Sequence, residues 1–356
     1  MIRPLVPAYT VRVHSAASLT ARLSAIDTYL AGRGPAPLAR DPRWPLVFRE
    51  ALRHDAYSLE ARTADGDVCG FLPLAHVSSV LFGRFLVSLP YLNSNGVIAD
   101  SPDVRTALID RAVELADELN VRHLELRHEA PIDHPALDGS LTSKVQMRMP
   151  LPSCVDRLWK GYDAKVRNQV RKGEKHDLTI AWGGHDLLEA FHAVLGHNMR
   201  DLGTPSHGPA FFAAILDAFP GRAEICLVRA GATPIAAALL FHGPGVTEVP
   251  TASSLREFNS TSANMLMYRH LIDRAVERGQ AVFDFGRSTI DGPTFKFKKQ
   301  WGAVPSPAHW QYALRGGAVG EVRPDNPRYR RAIQLWQRLP VRVTRWLGPE
   351  IVRGIP

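Results

Sequence analysis

Residues 295–301 read Phe-Lys-Phe-Lys-Lys-Gln-Trp and so place three lysines among aromatic side chains. Acyl transfer to an amine passes through a tetrahedral oxyanion and needs a donor aimed at that oxygen. A lysine ammonium in a partly dry cleft is a strong donor, and Lys298, flanked by Phe297 and Trp301, fits that role. In an extended segment Lys298 and Lys299 would point to opposite faces. The alternative is a charge cluster on an exposed edge strand, which the residues alone slightly favour.

Arg287 is a second candidate, because it ends the strand-like run Val-Phe-Asp-Phe-Gly-Arg, where loops commonly present functional groups. Its guanidinium could form a forked contact with a phosphate or a carboxylate. An ion pair with Asp284 or Asp291 is an equally good interpretation.

Basic charge is concentrated in two segments of a chain whose net charge is +8. Residues 157–175 hold seven basic and two acidic side chains, and residues 321–356 hold eight arginines and three acidic side chains. Arg167 and Arg171 are four residues apart, so on a helix they share a face that could hold a pyrophosphate or another anion. Arg200 is a weaker candidate of the same kind. A solvated helix face explains each basic segment equally well, and the charge favours phosphates, nucleic acid or acidic lipid without choosing among them.

Asn264 and Tyr268 also lie four residues apart and could both face a cleft. Without further information, a helix-start asparagine and a core tyrosine is the simpler interpretation.

Other catalytic signatures are missing from the sequence. The fourteen histidines show no His-Glu-x-x-His spacing, and no Gly-x-Ser-x-Gly elbow is present. The three cysteines form no Cys-x-x-Cys pair, which favours a reducing cytoplasm. Residues 315–320 are glycine-rich, but Ala318 occupies the first glycine position that a pyrophosphate loop requires, so we interpret them as a linker. We expect neither a metal nor a covalent intermediate, and no motif supports coenzyme A (CoA) as the donor.

The elements that must position these residues follow from an internal repeat. The chain of 356 residues is long enough for two domains, and the heptapeptide Leu-Ile-Asp-Arg-Ala-Val-Glu occurs at residues 108–114 and again at 271–277. Each copy follows a predicted strand–turn–strand unit, at residues 57–76 and 225–242, and precedes an alternating strand. The matching order indicates a duplication.

Helices, antiparallel strands, a helix and a further strand follow one another in the order of an acetyltransferase-type (GNAT) α/β module. We therefore predict an α/β fold with two such modules, residues 1–150 and 151–320, and a cleft near their junction. Residues 321–356 form a basic tail with a helix starting at Asn326-Pro327. Its apolar stripe could lie on an anionic membrane or dock on the protein body; the stripe comprises Tyr329, Ala332, Ile333, Trp336 and Leu339.

No apolar run approaches the ~20 residues that span a bilayer, and the first residues contain no apolar core of a signal peptide. The expected location is the cytoplasm, with a peripheral position at the inner membrane face as an extension of the tail hypothesis.

Residues 284–288 and 292–303, Asp-Phe-Gly-Arg-Ser and Gly-Pro-Thr-Phe-Lys-Phe-Lys-Lys-Gln-Trp-Gly-Ala, resemble the signature of FemAB-like transferases. The likeness is greatest to the subgroup associated with the exosortase and PEP-CTERM sorting system. Residues 164–173, 200–205 and 264–268 also resemble that family's pattern.

The resemblance implies tandem GNAT-like modules that transfer an acyl or aminoacyl group to an amine. It implies a catalytic role for Lys298, the match to the lysine of the family's Phe-Lys-x-x-Phe/Trp-Gly motif. With Lys298, Arg287 is the other catalytic candidate, and the substrate-binding candidates are Arg167, Arg171, Arg200, Asn264, Tyr268, Phe297 and Trp301.

The donor is left open between acyl-CoA and aminoacyl-tRNA. The long helical arm that some family members insert for tRNA is missing here. The expected acceptor is an amine on a precursor of the cell wall, an exopolysaccharide or a surface protein. The alternatives are a non-catalytic double-GNAT component of an export system and a small-molecule N-acetyltransferase.

Overall fold

The computed structural model describes residues 9–316, 319 and 329–356. The mixed α/β architecture with two modules is confirmed. Its first half contains β1 (Tyr9–Ser15), α1 (Ala16–Leu19), α2 (Leu23–Ala31), α3 (Trp44–Leu52), β2 (Asp55–Thr63), β3 (Val68–Ser79), β4 (Gly83–Val87), β5 (Ile98–Ala99), α4 (Pro102–Glu118), β6 (His123–His128), β7 (Gly139–Leu141) and β8 (Lys144–Pro150).

The second half repeats the hairpin, the third strand, the long helix and the following strand in the same order. It contains α5 (Val155–Gly161), α6 (Ala164–Glu174), β9 (Leu178–Gly183), α7 (Leu188–Leu202), α8 (Pro209–Ala218), β10 (Ala223–Ala230), β11 (Thr233–Gly243), β12 (Val246–Ser254), α9 (Ala263–Glu277), β13 (Val282–Thr289), α10 (Pro293–Gln300), β14 (Val304–Pro307) and β15 (His309–Leu314). The tail forms α11 (Arg330–Arg338) and α12 (Val341–Val352).

Two sheets organise the described strands. The first runs β1-β2-β3-β4-β6-β15-β7, with β5 beside β3, and the second runs β9-β10-β11-β12-β13-β8-β14. In each sheet one parallel pair interrupts antiparallel neighbours: β4 beside β6 in the first, and β12 beside β13 in the second. The two predicted hairpins are confirmed as β2–β3 and β10–β11.

The sheets exchange strands. The strand β8 precedes the second half in the chain but lies between β13 and β14 of the second sheet, and β15 lies between β6 and β7 of the first. The exchange is symmetric, since β8 and β15 occupy the same place in their own half of the chain. The division at residue 150 stays a prediction about chain segments, because each sheet contains a strand from the other side of it.

The two repeated heptapeptides occupy equivalent helices. The first lies in α4, which packs on β2, β3 and β6, and the second lies in α9, which packs on β10 to β13. The helix α4 starts as the sequence predicts, with Ser101 as cap and Pro102 in the first turn. Gly279 follows α9 with φ +69°, as a glycine after a helix end does. The duplication is therefore visible in the fold.

Each face of the second sheet carries its own apolar core. One face packs against α5, α6, α9 and α10, and the other packs against α7, α8 and the first module's α3. The residues of β11 alternate between the two, with Ala238 and Leu240 on one side and Leu239 and Phe241 on the other. The second sheet is therefore covered on both faces.

The tail docks on the protein body. Trp336 of α11 is buried, and Ile333 approaches Gly203 at the end of α7. Arg345 of α12 donates to His192 Nδ1 and pairs with Glu189 of α7 at 2.9 Å. Residues 317, 318 and 320–328, with part of the predicted linker and the predicted helix start, lie outside the described residues.

Candidate active site

Lys298 is buried, with 8% of its surface exposed, and its ammonium contacts the backbone of β13. Its Nζ donates to the carbonyl oxygen of Arg287 at 2.8 Å and to that of Gly286 at 3.3 Å. An ammonium has three N–H donors, so these two bonds leave one for another acceptor.

The segment that carries Lys298 is helical, which corrects the extended geometry considered from the sequence. Pro293 occupies the first turn of α10, and its fixed φ favours a helix start that the alternation of phenylalanine and lysine conceals. Lys299 is nevertheless exposed while Lys298 is buried, so the two lysines do face different surroundings.

Burial lowers the pKa of Lys298 to about 8, and the nearby Asp284 opposes that shift while Arg287 adds to it. The side chain is therefore protonated at neutral pH but close to its midpoint. A lysine in this state can donate to an oxyanion and can exchange a proton near neutrality.

A β-bulge shapes the backbone that Lys298 contacts. The register between β13 and β8 shifts between Asp284 and Arg287, and Gly286 adopts φ +71°. The positive φ favours glycine, and a Cβ at Gly286 would also come within 2.9 Å of the Asn93 amide nitrogen and displace that side chain.

Asp284 organises the buried polar network beside the bulge. It accepts hydrogen bonds from Gly286 N at 2.7 Å, Gln146 Nε2 at 3.0 Å and Arg148 Nε at 2.8 Å. Arg148 also pairs with Glu129 at 2.6 Å. This ion pair links the exchanged strand β8 of the second sheet to the end of β6 in the first sheet. Sequence reasoning treated Asp284 only as a possible partner of Arg287.

Glu248 is a buried carboxyl group that the sequence analysis missed. It lies opposite Asp284 in the β12–β13 register and accepts a hydrogen bond from Ala39 N at 3.1 Å. Burial and then the charge of Asp284 raise the pKa of Glu248 well above its ordinary range, which favours the neutral carboxyl group. The only sequence signal was one acidic residue within an otherwise uncharged strand.

The parallel strands β12 and β13 separate just beyond these carboxyl groups. They pair at three positions, the last being Glu248 with Asp284, and no later residues of these two fully described strands are paired with each other. From Thr251 onward β12 stays paired with β11, while β13 from Arg287 onward pairs with β8. An opening between two strands of one sheet results.

A cavity of about 650 Å³ lies on the α7–α8 face of the second sheet, next to this opening. Its lining includes Pro250 and Thr251 of β12 and Arg287 of β13. The first module contributes Glu125 and Arg127. The cavity therefore lies at the junction of the two modules, as the sequence predicted.

One end of this cavity is cationic. The guanidinium groups of Arg287 and Arg127 lie 3.7 and 3.9 Å from the ring centre of Trp310, a residue of the exchanged strand β15. Arg287 Nε donates to Asn93 Oδ1 at 3.0 Å, and Arg127 Nε donates to Glu125 at 2.7 Å. The other end is apolar, with a lining that includes Phe211, Phe212, Ile215, Leu239 and Phe241.

A second cavity, of about 300 Å³, lies on the opposite face, where β12 ends and α9 begins. Its lining includes Lys172 of α6 and Asn264 in the first turn of α9. Ser262 precedes α9 with φ +55° and makes no side-chain capping bond, and the first turn carries no acidic residue. Thr261 Oγ1 accepts from Ala263 N at 3.2 Å and Ser262 O accepts from Met265 N at 3.0 Å, so an anion there would meet the amide of Asn264 and the positive end of the helix dipole.

Three of the predicted substrate-binding residues pack together in the core instead of lining either cavity. Tyr268 lies 4.8 Å from the ring centre of Phe297 and 6.2 Å from that of Trp301. Burial raises the pKa of the Tyr268 phenol. The cluster packs α10 against α9 and thereby holds Lys298 in position.

The remaining predicted arginines contact the protein itself. Arg167 donates to the carbonyl oxygens of Lys160 and Tyr162, near the end of α5, and Arg171 lies 5.6 Å from the ring centre of Trp159. Arg200 donates to Asp201 and to the carbonyl of Leu339 in the tail. An anion-binding role for these three residues stays a prediction.

Within the described residues, no group of three or more potential metal ligands is found. Among the same residues, no helix has the length and apolar character needed to cross a membrane.

The comparisons with known proteins agree with this architecture. Residues 161–299 match the sequence model of a family described as Acetyltransferase (GNAT) domain, and the comparison with curated proteins finds no match. The crystal structure of FemX superposes with a TM-score of 0.62 at 18% identity, covering 79% of this chain and 93% of that chain.

Two further solved structures have the same fold. A tandem GNAT protein from the clavulanic acid biosynthesis pathway gives a TM-score of 0.55 at 13% identity, covering 87% of this chain and 100% of that one. The structure of L-PGS from Bacillus licheniformis gives 0.52 at 11% identity, covering 91% and 96%. At these identities the likeness concerns the fold.

Proposed function

We propose that the chain is an N-acyltransferase that moves an acyl group from a thioester of coenzyme A to an amine. The observation that carries this proposal is the opening between β12 and β13, which lies beside the large cavity between the modules; the small cavity lies on the other face, where β12 ends and α9 begins. The match of residues 161–299 to acetyltransferase (GNAT) domains supports it.

The small cavity is suited to the phosphates of the donor. Lys172 supplies a cation there, and the amide of Asn264 at the positive end of the α9 dipole supplies an oriented donor. The thioester arm would then run through the opening, where strand edges that pair with no neighbour can hydrogen-bond its amide groups. Lys172 and the start of α9 would thus bind the phosphates that a glycine-rich pyrophosphate loop binds elsewhere.

The large cavity is suited to the acceptor. Arg127, Arg287 and Lys144 outnumber Glu125 at its polar end, so an acceptor with a phosphate or carboxylate near its amine fits best. On the sequence resemblance, we propose an amine-bearing precursor of the cell wall, an exopolysaccharide or a sorted surface protein, and a place beside the PEP-CTERM-associated subgroup.

In the reaction, the acceptor nitrogen attacks the thioester carbonyl, the C–S bond breaks, and the thiol leaves with the proton that the amine gives up. Lys298 is not among the described residues that line either cavity, so its remaining N–H would stabilise the oxyanion of an acyl group that lies in the opening itself, beside the carbonyls of Gly286 and Arg287. Glu248 and Asp284, whose carboxyl groups lie opposite each other on β12 and β13, would pass the proton. The charge of Arg287 would hold the acceptor, because its side chain reaches the large cavity.

The test is to incubate the full chain with a panel of acyl-CoA thioesters and candidate amines, and to follow thiol release that depends on the amine. Lys298→Met and the exposed Lys299→Met are the matched pair. Thiol release lost only in Lys298→Met supports the proposal. If only aminoacyl-tRNA supports transfer, the donor is aminoacyl-tRNA and the proposed thioester donor is wrong.

Donor binding is a separate measurement, and thermal shift detects it cheaply because a ligand at about 100 times its dissociation constant adds about 2.7 kcal/mol of stability. Binding of CoA without turnover of any thioester would favour the non-catalytic component of an export system. Turnover of acetyl-CoA with simple amines alone would favour the small-molecule N-acetyltransferase.

A further inference from the structure

Each of the two tail helices packs one face on the protein body and leaves the opposite face exposed. On α12, Arg342 and Trp346 are exposed four residues apart, while Thr344 and Gly348 face the body. On α11, Arg331, Leu335 and Arg338 share the exposed face, and Trp336 faces α7. The surface available to a partner is thus the opposite side from the apolar stripe that the sequence suggested.

This surface exposes several large apolar side chains to solvent. The exposed fractions are 76% for Trp346 and 64% for Leu335, and the β3–β4 turn adds Leu81 at 75% and Val80 as a fully exposed side chain. Scattered exposed apolar residues are ordinary, but a group on adjoining elements marks an interaction surface.

The turn and the two helices adjoin one another. The ring of Phe82 in the turn lies 6.4 Å from that of Tyr329, which precedes α11, and Gly354 after α12 approaches Ser79 and Phe82. At a rise of about 1.5 Å per residue, Leu335 is roughly 9 Å and Trp346 roughly 12 Å along their helices from these contacts.

Arginines surround the apolar group without matching carboxylates. Within the described residues, five exposed arginines of this surface have no ion pair: Arg84, Arg330, Arg331, Arg338 and Arg342. The acidic side chain of the described tail, Glu350, is paired with Arg353 at 2.8 Å. The surface therefore has a strong positive field.

We propose that this surface, formed by the β3–β4 turn and the outer faces of α11 and α12, binds an anionic lipid bilayer. Trp346, Leu335 and the turn enter the headgroup region, and the arginines contact lipid phosphates. A second copy of the chain fits less well, because a two-fold contact would place arginines against arginines. The inference concerns location, and it does not depend on the proposed reaction.

The test is flotation of the full-length protein with vesicles rich in phosphatidylglycerol and, in parallel, with phosphatidylcholine vesicles. We expect binding to the anionic vesicles alone, weakening as salt is raised. The double variant Arg338→Gln/Arg342→Gln should bind about 25-fold more weakly, at about five-fold for each arginine near the surface.

A matched control keeps the same net charge. Arg12 on the edge strand β1 and Arg157 on α5 are also exposed, and Arg12→Gln/Arg157→Gln should bind vesicles like the unaltered protein. Val80→Asp should weaken binding about ten-fold or more, whereas Val304→Asp, at another exposed apolar site, should not.

Three results would overturn the proposal. They are no binding of the unaltered protein at low salt, equal losses in the two double variants, and a dimer that dissociates in Trp346→Ala while no vesicles are bound. Circular dichroism of each variant confirms that the fold is kept, so a loss of binding reports on the surface.

Discussion

The two modules share an arrangement of strands but differ where that arrangement opens. In both, a parallel pair matches at three positions, β4 with β6 and β12 with β13. In the first module the chain after β4 stays on β6, with Ser88 N donating to Glu125 O at 2.9 Å and Asn95 N to Arg127 O at 3.0 Å. In the second module β12 continues away from β13. The strands of the first pair thus stay joined by backbone hydrogen bonds, whereas the strands of the second pair separate.

The helices beside the two parallel pairs also differ. Ser101 Oγ accepts from Val104 N at 3.2 Å, and Asp103 places a negative charge in the first turn of α4. At the start of α9 Ser262 makes no side-chain cap and Asn264 is neutral, although Thr261 Oγ1 accepts from Ala263 N at 3.2 Å. The two helix starts therefore differ in charge: the carboxylate in the first turn of α4 repels an anion, and the first turn of α9 carries no such charge. A duplicated fold thus carries a site in one copy only, because a site depends on particular side chains.

The largest effect that sharpens this comparison is expected for Lys298. Lys298→Met keeps much of the side-chain volume, and loss of one oxyanion donor typically costs about 10²- to 10³-fold in turnover. The donor's dissociation constant should change little, since the interaction strengthens in the transition state. Steady-state kinetics and thermal shift measure the two quantities.

Lys299→Met is the control, because Lys299 is exposed on the same helix. Comparable losses in both variants would show that α10 contributes a basic surface and not a catalytic donor.

The second prediction concerns pH. The pKa of Lys298 is lowered to about 8, so its ammonium is lost as pH rises through that value. Turnover should fall above about pH 8 by about ten-fold per pH unit if the ammonium is required. In Lys298→Arg the residue stays charged, so any remaining activity should lack this alkaline decline. If turnover of Lys298→Arg falls above pH 8 as in the unaltered protein, another group causes the decline, and Glu248 is the first candidate.

Periodicity predicted the repeated elements well. The two hairpins, α4, α9 and β13 follow from alternation, capping residues and the repeated heptapeptide. The exchange of β8 and β15 was not predictable in this way, because an alternating pattern states that a strand is half-buried but does not state which sheet it joins.

The site was predictable only in part. The resemblance selected Lys298 and Arg287, which the structure brings together through the bulge at Gly286. The same reasoning missed Glu248 and named Asp284 only as a possible ion-pair partner, since one acidic residue in an apolar strand is a weak sign of a buried carboxyl group. It also read the alternation in α10 as a strand, although Pro293 favoured a helix start.

The third prediction exchanges the helix starts. Asn264→Asp places in α9 the charge that Asp103 places in α4, at the equivalent position of the first turn. Like charges a few ångström apart repel by about 1 kcal/mol in water-like surroundings, so CoA affinity should fall roughly five- to ten-fold. Asp103→Asn should leave that affinity unchanged. Titration calorimetry with CoA measures both, and unaltered binding in Asn264→Asp would place the donor phosphates elsewhere.

The smallest expected effects concern the two serines before these helices. Ser101→Ala removes a capping hydrogen bond and should lower the free energy of unfolding by about 1 kcal/mol. Ser262→Ala removes no capping bond and should change it by less than about 0.5 kcal/mol. Urea denaturation followed by circular dichroism measures both, and one transition is expected because each sheet contains a strand from the other half of the chain. Equal losses would mean that α9 is capped as α4 is, and the anion site proposed at its start would lose its physical basis.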